Sequence, residues 1–405
     1  MNSPKFLQKL IGVMLAIVFL AGCGAPAATP TLPPTFPPPP PPPATFPPPS
    51  PPSPTISTGG NLFKLVKEVQ VAPIGNQINA SFARIGYVPG RDAMVVTFDT
   101  MLTWPEGNCT TKGYAWREYT MDMTATGDQG LINCYGGAMD TGELFEGNDF
   151  NFAYQAPNPT TPGSQGWVLA KYNALTWATS KIYFFQLAQT EDPGDPMFAV
   201  VNGLIDISSK VENVNRSDPN CSFGNCWTHH QFFTMDLQFV EERVLKDTMH
   251  NNLTSMLQTA DGVIHFVAGA ALIGDVYAMR YDRNWNYLGE KIILTNSGAP
   301  EGIAFDGSRF YISYVYMNQL PQGGRFDNVR LAAFDSDWNL LDDVAVTNYS
   351  ASDLKNTARS SLTLHNGRIY VCWDENENTS DPANSNPETA VSQVHAKVYE
   401  LARQP

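Results

Sequence analysis

The sequence predicts an all-β fold, a β-propeller of six four-stranded blades, from three observations. A turn glycine followed by a short apolar strand recurs six times, at intervals of 45 to 60 residues. A second turn, which usually carries an aromatic residue, recurs later in these units. The last unit lacks a fourth strand, and a strand that would complete it stands at the start of the folded region.

The chain begins with the layout of a secretory signal. Lys5 and Lys9 precede an apolar run, Leu10–Leu20, which is too short to be a good membrane-spanning helix. The following motif Leu-Ala-Gly-Cys, ending at Cys23, resembles the lipobox of bacterial lipoproteins. The resemblance implies that residues 1–22 are a signal peptide. It also implies that acylation of Cys23 anchors the protein to the lipid bilayer of the bacterial cell envelope, outside the cytoplasmic membrane.

A proline-rich tract separates this anchor from the folded region. Residues from Thr29 to Pro54 are mostly proline, including the unbroken run Pro37–Pro43. Proline fixes φ and has no amide donor, so we expect an extended polyproline spacer that rises ~3.1 Å per residue. A ligand for proline-binding domains is the alternative. We assign residues 23–58 to the lipidated N-terminus and stalk, and residues 59–405 to the propeller.

Charge and cysteine content restrict the partners and the compartment. The formal net charge is -14 and no cluster of Lys and Arg occurs, which argues against a nucleic-acid partner. Disulfides are plausible in an oxidising envelope. The two predicted pairs are Cys221 with Cys226, across a short turn, and Cys109 with Cys134, across one blade. Cys372 is then left alone in an apolar strand.

The repeat itself consists of hairpin-like units. The turn glycines that mark them are Gly90, Gly147, Gly203, Gly262, Gly307 and Gly367. The last three belong to Asp-Gly or Asn-Gly dipeptides, which are typical of two-residue β-hairpins. Four strands in a unit of this length are the content of one propeller blade. An irregular pair of β-sandwiches is the alternative fold.

The second recurring turn is clearest in the segments Asp282–Trp285 and Asp335–Trp338. We expect it between the third and fourth strands of a blade. Sialidase-like propellers carry their aspartate box at this place, but these copies lack the serine and glycine of that motif. The pattern predicts that the aspartates brace the turns and that Trp285 and Trp338 pack between blades.

The two ends of the folded region complement each other. The last unit ends near Val398–Leu401, after its third strand. Leu65–Val71, at the front, has the pattern of the fourth-strand segment Leu288–Leu294. Borrowing it would close the ring and remove an exposed sheet edge. This arrangement resembles the closure that many propellers use.

Polar residues just before the innermost strands are candidates for ligand binding, because ligands of propellers usually meet the loops at one mouth of the central channel. By this criterion the candidates are Arg84, Glu301, Arg359 and His250. A glycosidase would need two carboxylates, one of them a proton donor. The candidate catalytic carboxylates are Glu301, Asp374 and Asp206.

Calcium is the one cofactor that the sequence suggests. The segment from Asp374 and Glu375 to Asp381 is rich in oxygen ligands, as calcium prefers. It lacks the spaced acidic pattern of a calcium loop, so a solvated loop is the alternative.

Two functions follow from the sequence. The first is a surface-tethered binding or scaffold propeller for an extracellular carbohydrate or protein. The second is a membrane-anchored glycosidase or related carbohydrate-active enzyme. The sequence leaves open whether the protein is an enzyme.

Overall fold

The structure is a computed structural model, and it describes most of the region from Leu62 to Ala402. The described residues are 62–72, 80–100, 112–135, 142–157, 165–185, 196–211, 227–245, 254–269, 274–295, 297–319, 325–350, 353, 355–377 and 392–402. The predicted signal peptide, the lipidation site Cys23 and the stalk lie outside these ranges.

Short strands rich in β-branched and aromatic residues dominate the first half of the described region, as their composition favours. These strands are β1 (Phe63–Ala72), β2 (Ala80–Val88), β3 (Ala93–Thr100), β4 (Lys112–Tyr119), β5 (Ala125–Tyr135), β6 (Gly142–Glu146), β7 (Asp149–Pro157), β8 (Gln165–Asn173), β9 (Thr179–Phe185), β10 (Met197–Val201), β11 (Leu204–Val211) and β12 (Trp227–Phe233).

The second half continues in the same way. Its strands are β13 (Phe239–Leu245), β14 (Thr254–Gln258), β15 (Ile264–Gly269), β16 (Val276–Tyr281), β17 (Tyr287–Leu294), β18 (Ala299–Phe305), β19 (Phe310–Gln319), β20 (Arg325–Phe334), β21 (Leu340–Ala345), β22 (Lys355–His365), β23 (Arg368–Glu377) and β24 (Ser392–Leu401). One 3-10 turn, Pro89–Arg91, links β2 to β3. The described part of the chain contains no helix with the length and apolar character that crossing a membrane requires.

The strands form six antiparallel sheets of four strands each, which confirms the predicted six-bladed propeller. Blade 1 is β2–β5, blade 2 is β6–β9, blade 3 is β10–β13, blade 4 is β14–β17 and blade 5 is β18–β21. Blade 6 is β22–β24 together with β1. The first strand of each blade contacts the first strands of both neighbouring blades, so these six strands surround the axis of the ring.

Ring closure occurs as predicted. β1 pairs antiparallel with β24, with Leu65 opposite Tyr399 and Val69 opposite Ala396. β1 also reaches blade 1, because the Arg117 guanidinium donates to the carbonyl of Val71. The strand nearest the N-terminus therefore completes the last blade and contacts the first.

The predicted turn glycines lie between the first and second strands of their blades. Five of them have a positive φ, from 59° at Gly147 to 98° at Gly307, a conformation that glycine adopts without steric cost. Gly90 is the exception. It lies in the 3-10 turn, and Asp92, with φ of 48°, takes the left-handed position there.

Core side chains pack mainly between neighbouring blades. Trp285 of blade 4 lies 5.5 Å, centroid to centroid, from Phe232 of blade 3. Trp338 of blade 5 donates from Nε1 to His265 Nδ1 of blade 4 at 3.3 Å. Both contacts confirm the predicted packing of the two tryptophans between blades.

Only some of the cysteines in the predicted disulfides lie among the described residues. Cys134 lies in β5, whereas Cys109, Cys221 and Cys226 lie outside the described residues. The two disulfide pairings therefore stay predictions. Cys372 lies in β23 as a buried thiol outside any disulfide, and its burial raises the pKa of the thiol.

Candidate functional site

A cavity of about 330 Å³ lies on the axis of the ring. All six innermost strands contribute to its lining, with β10 joined by the preceding Pro196. Concave sites of this kind are where small ligands bind in proteins. The axial cavity is therefore the candidate functional site.

The innermost strands of three adjacent blades are irregular. The pairing register shifts between Pro300 and Gly302 in β18, between Thr357 and Ser360 in β22, and between Ser81 and Arg84 in β2. The other three innermost strands pair with their neighbours without a shift. Bulges re-aim side chains and are frequent beside binding and active sites. We therefore expect the binding or active site in the irregular half of the ring.

These bulges carry the charged candidates of the sequence analysis. Glu301, Arg359 and Arg84 lie within the innermost strands β18, β22 and β2, whereas the sequence placed them just before such strands. Glu301 and Arg84 line the cavity. The third predicted ligand-binding residue, Arg359, acts with Arg84 to lower the pKa of Glu301, so all three side chains lie in one neighbourhood.

The β18 bulge depends on a glycine. A Cβ at Gly302 would lie 2.6 Å from Ser313 Oγ and 2.9 Å from the backbone nitrogen of Leu362. Such distances are shorter than real Cβ contacts allow, so only glycine lets β18 approach β22 this closely. The close approach brings Glu301 within hydrogen-bonding reach of β22.

Glu301 is a buried acid with one oxygen bonded. Its Oε2 accepts a hydrogen bond from the backbone amide of Ser360. Its Oε1 has no hydrogen-bond partner among the described residues, and the whole residue is only 4% exposed. Burial raises the pKa of Glu301 to about 8, although Arg359, the Ser360 amide and Arg84 act to lower it and Asp374 adds to the rise. Glu301 is therefore mainly protonated at neutral pH.

Arg84 is held by the neighbouring blade. Its Nε lies 3.0 Å from Glu143 Oε2, and both side chains are almost fully buried. Arg84 Nη1 also donates to the carbonyl of Ser360 at 3.3 Å. Glu143 in turn accepts from the Tyr114 hydroxyl at 2.8 Å through Oε1. This chain of contacts fixes the arginine beside Glu301.

Asp374 has a bracing role. Its Oδ1 accepts from the Arg359 amide at 2.8 Å and its Oδ2 from the Phe82 amide at 3.4 Å, so it links the bulges of β22 and β2. Phe82 has a φ of 53°, which is strained for a bulky residue. The Arg359 guanidinium carbon lies 4.3 Å from the centroid of the Phe82 ring. Asp374 therefore stabilises the backbone that presents the other charged groups.

The third catalytic candidate lies elsewhere. Asp206 is in β11, the second strand of blade 3, and does not belong to the cavity lining. Its Oδ2 lies 2.8 Å from His230 Nδ1, and His230 Nε2 lies 2.9 Å from Thr228 Oγ1. Burial raises the pKa of Asp206. This group forms a polar network inside blade 3, so the structure brings together Glu301 and Asp374 but not Asp206.

The calcium candidates are only partly described. Glu375 lies 2.7 Å from Lys355 Nζ and accepts from the Tyr349 hydroxyl, while Asp374 contacts the two amides given above. Asp381 and His250 lie outside the described residues. Within the described ranges no group of three or more His, Cys, Asp or Glu side chains is arranged to hold a metal ion. Calcium binding therefore stays a prediction.

The two halves of the cavity differ in chemistry. The irregular blades 5, 6 and 1 contribute what we call the polar arc: Arg84, Glu301, Ser361 and Thr363. The regular blades 2 to 4 contribute mostly apolar side chains, of which we call the following the apolar arc: Phe145, Met197, Phe198, Met256 and Leu257. The irregular half is also lined by Ile85, Ile303 and Leu362, and the regular half by Glu143, Glu146, Ser255 and Gln258. A ligand in the cavity therefore meets polar groups on both sides, with the larger apolar surface on the side of blades 2 to 4.

Sequence reasoning missed Glu143 and the apolar arc. Glu143 stands at the start of the innermost strand β6, directly after Gly142. Searching the start of every innermost strand for polar residues would have found it. The apolar arc has no such signal in the sequence, because the residue pattern of an innermost strand does not differ from that of any other buried apolar strand.

Fold and cavity together define the class of this protein as a six-bladed β-propeller. Among the solved structures that resemble it are the following two. One is a protein of unknown function from Dyadobacter fermentans, with a TM-score of 0.58 and 12% identity, covering 84% of this chain and 100% of that chain. The other is the phage phi92 endosialidase, with a TM-score of 0.53 and 9% identity, covering 84% and 69%. At such identities the likeness establishes the fold alone. No protein-family model and no curated protein sequence matches the chain.

Proposed function

We propose that this protein is a surface-tethered propeller that binds a carbohydrate in its axial cavity. The observation that carries this proposal is the mixed lining of the cavity, which combines the polar arc, with the unpartnered Glu301 Oε1, and the apolar arc. Sugars have hydroxyl groups around the ring and apolar C–H faces. A cavity that offers both kinds of surface suits both parts of such a ligand.

The resemblance to the phage endosialidase supports the same class of ligand. That protein is, by its name, a sialidase, and its fold is similar to that of this chain. A protein ligand is the other partner that the sequence suggested. The cavity has the volume of a small-molecule pocket, about 330 Å³, which favours a small ligand over a protein surface.

Tethering rests on the lipobox and the stalk. We expect Cys23 to be acylated and to hold the propeller outside the cytoplasmic membrane. Cells fed labelled palmitate test this expectation. The wild-type protein should carry the label in the membrane fraction, and a Cys23→Ala variant should carry none. Equal labelling of the two proteins would exclude Cys23 as the anchor.

A membrane-anchored glycosidase is the second candidate, and one observation favours it. Burial raises the pKa of Glu301 to about 8, and Arg84, which acts to lower that pKa, pairs with a second carboxylate, Glu143. A protonated acid and a carboxylate are the pair that glycoside hydrolysis uses.

One screen separates these functions. The full-length protein in a sugar-free detergent is applied to a glycan array and to chromogenic glycosides, with and without calcium. We expect glycan binding without turnover, and loss of binding in Glu301→Ala but not in the exposed control Glu290→Gln. Turnover that Glu301→Gln abolishes, with binding retained, would establish the glycosidase. Absence of both binding and turnover would overturn the carbohydrate proposal in favour of a protein ligand.

A further inference from the structure

We propose that Glu301 is a neutral hydrogen-bond donor to the ligand: its protonated carboxyl donates through Oε1 to an uncharged saccharide, which is therefore released in alkaline solution. This inference rests on the proposed carbohydrate function and specifies the substrate class. It also gives one residue of the polar arc a defined role in choosing the ligand.

The geometry assigns the proton to Oε1. The Ser360 amide donates to Oε2, so Oε2 acts as an acceptor. Oε1 is then the oxygen that carries the proton, and the described residues offer it no acceptor. A buried polar atom without a partner is uncommon in folded proteins. Glu301 lines the cavity, so a ligand bound there is the natural source of the missing acceptor.

The charges around Glu301 balance without a charged ligand. Arg84 is paired with Glu143, and Arg359 has Asp374 bonded to its backbone amide. The site thus contains two arginines and two carboxylates, so its formal charges sum to zero while Glu301 is protonated. A ligand that brought its own charge into this buried site would lose hydration without a matching counter-charge. The site therefore favours an uncharged ligand.

Other titratable groups near β18 are engaged elsewhere. β14 contains none, and His265 on β15 accepts from Trp338. On β19, Tyr311 and Tyr314 donate to Asp306 and Asp343, and Tyr316 lies beside Arg330. On β22, Lys355 pairs with Glu375 and His365 stacks on Tyr87. The groups that act on Glu301 are therefore Arg84, Arg359 and Asp374, with the Ser360 amide.

The size of the cavity limits the ligand. Its volume of about 330 Å³ is near the lower end of small-molecule pockets, roughly 300–1,000 Å³. A single sugar ring, with its C–H face against the apolar arc, fits this space better than a long chain. We therefore expect recognition of one terminal residue of a glycan.

Calorimetric titration of the full-length protein in a sugar-free detergent tests the inference. The probes are methyl glycosides of glucose, galactose and N-acetylglucosamine, with methyl glucuronide as the charged counterpart of the glucoside. We expect a neutral glycoside to bind at pH 6 and to bind about thirtyfold more weakly at pH 9.5, because the protonated fraction falls above a pKa of about 8. We expect the glucuronide to bind at least tenfold more weakly than a neutral ligand at pH 6.

Glu301→Gln is the matched variant, because its amide can donate to the ligand and accept from Ser360 without titrating. It should bind the same glycoside equally at both pH values, whereas Glu301→Ala should bind at neither. A ¹³C NMR titration of the wild-type Glu301 carboxyl is independent of both variants, and should show a midpoint well above 4.5, the ordinary value for glutamate.

The outcomes separate the two proposals. Neutral glycosides that bind the wild type equally at both pH values, a glucuronide that binds as well as they do, or a carboxyl midpoint near 4.5 would overturn the donor role and leave carbohydrate binding intact. If no glycoside binds at either pH value and no glycan on the array binds, the carbohydrate function is overturned, and the donor role with it.

Discussion

At the scale of single residues, Glu301 lies where its own negative charge is disfavoured. Burial raises its pKa from 4.5 to about 8, even though two arginines and an amide act in the opposite direction. In the unfolded chain the carboxyl loses its proton near the ordinary value. The folded protein therefore binds more protons than the unfolded chain between these two values. By linkage, the free energy of unfolding falls as pH rises through this range.

The stability of Glu301→Gln should depend less on pH than that of the wild type. The wild-type contribution is fully present below about pH 4.5 and is lost by about pH 8, at up to about 1.4 kcal/mol per pH unit. Glutamine has no such titration. The free energy of unfolding of the variant, taken relative to that of the wild type, should therefore be higher at pH 9 than at pH 5. Urea denaturation at both pH values measures this difference.

The exposed variant Glu290→Gln is the control, and its stability should follow the wild type at both pH values. Parallel pH profiles for wild type and Glu301→Gln would mean that Glu301 ionises normally in the folded protein.

At the scale of elements, the turn between the third and fourth strands connects each of blades 1 to 5 to the blade before it. In blade 5, Asp335 Oδ1 accepts the amides of Asp337 and Asn339 at 2.9 and 2.8 Å. Trp338 then adopts a left-handed φ of 62° and its ring enters the interface with blade 4. Leu237 and Met123 occupy the same position in other blades. The turn thus places one large apolar side chain between blades.

Trp338→Ala should destabilise the propeller by about 3–5 kcal/mol, the usual loss for truncating a buried aromatic. Trp338 stacks on Phe310 at 4.1 Å between ring centroids, and it loses the bond to His265 as well when truncated. Leu340→Ala, two residues on, is the control, since Leu340 is 51% exposed and should cost at most about 0.5 kcal/mol. Chemical denaturation followed by fluorescence compares them. Equal losses would show that the turn residue does not join the blades.

At the scale of the whole molecule, one strand closes the ring. β1 supplies the outer strand of blade 6, and its buried end, Val71 and Ala72, packs in a core shared by blades 6 and 1. Without β1, the largely buried strand β24 would become the outer edge of blade 6, and an exposed apolar edge is a template for aggregation. Closure therefore covers β24 and joins the two ends of the folded chain.

Deleting residues 1–72 should lower the unfolding midpoint and cause self-association, whereas deleting residues 1–56 should do neither. Thermal unfolding and size-exclusion chromatography measure the two effects. A synthetic peptide, Phe63–Ala72, added in trans should restore part of the lost stability by pairing with β24. A chain without β1 that melts like the wild type would show that the ring does not need this strand.

The sequence by itself determined the number of blades, the turns and the closing strand. These features depend on contacts between near neighbours in the chain: glycine at a positive φ, an aspartate that binds amides two and four residues on, and alternating apolar residues. Such patterns repeat with each blade, so six copies reinforce one another. Ring closure could be predicted for the same reason, because the segment at the front of the folded region matched the fourth strand of another unit.

Only the tertiary structure decided the site. The bond from Ser360 to Glu301 joins residues 59 positions apart, and that from Arg84 to the Ser360 carbonyl joins residues 276 apart. Both depend on bulges in three adjacent strands, and a shift of one residue in register leaves no mark in a short apolar sequence. Asp206 and Asp374 look alike as candidates, yet one lies inside blade 3 and the other braces the cavity wall. Local patterns specify the blades, whereas the direction of each inner side chain is set by how the blades pack around the axis.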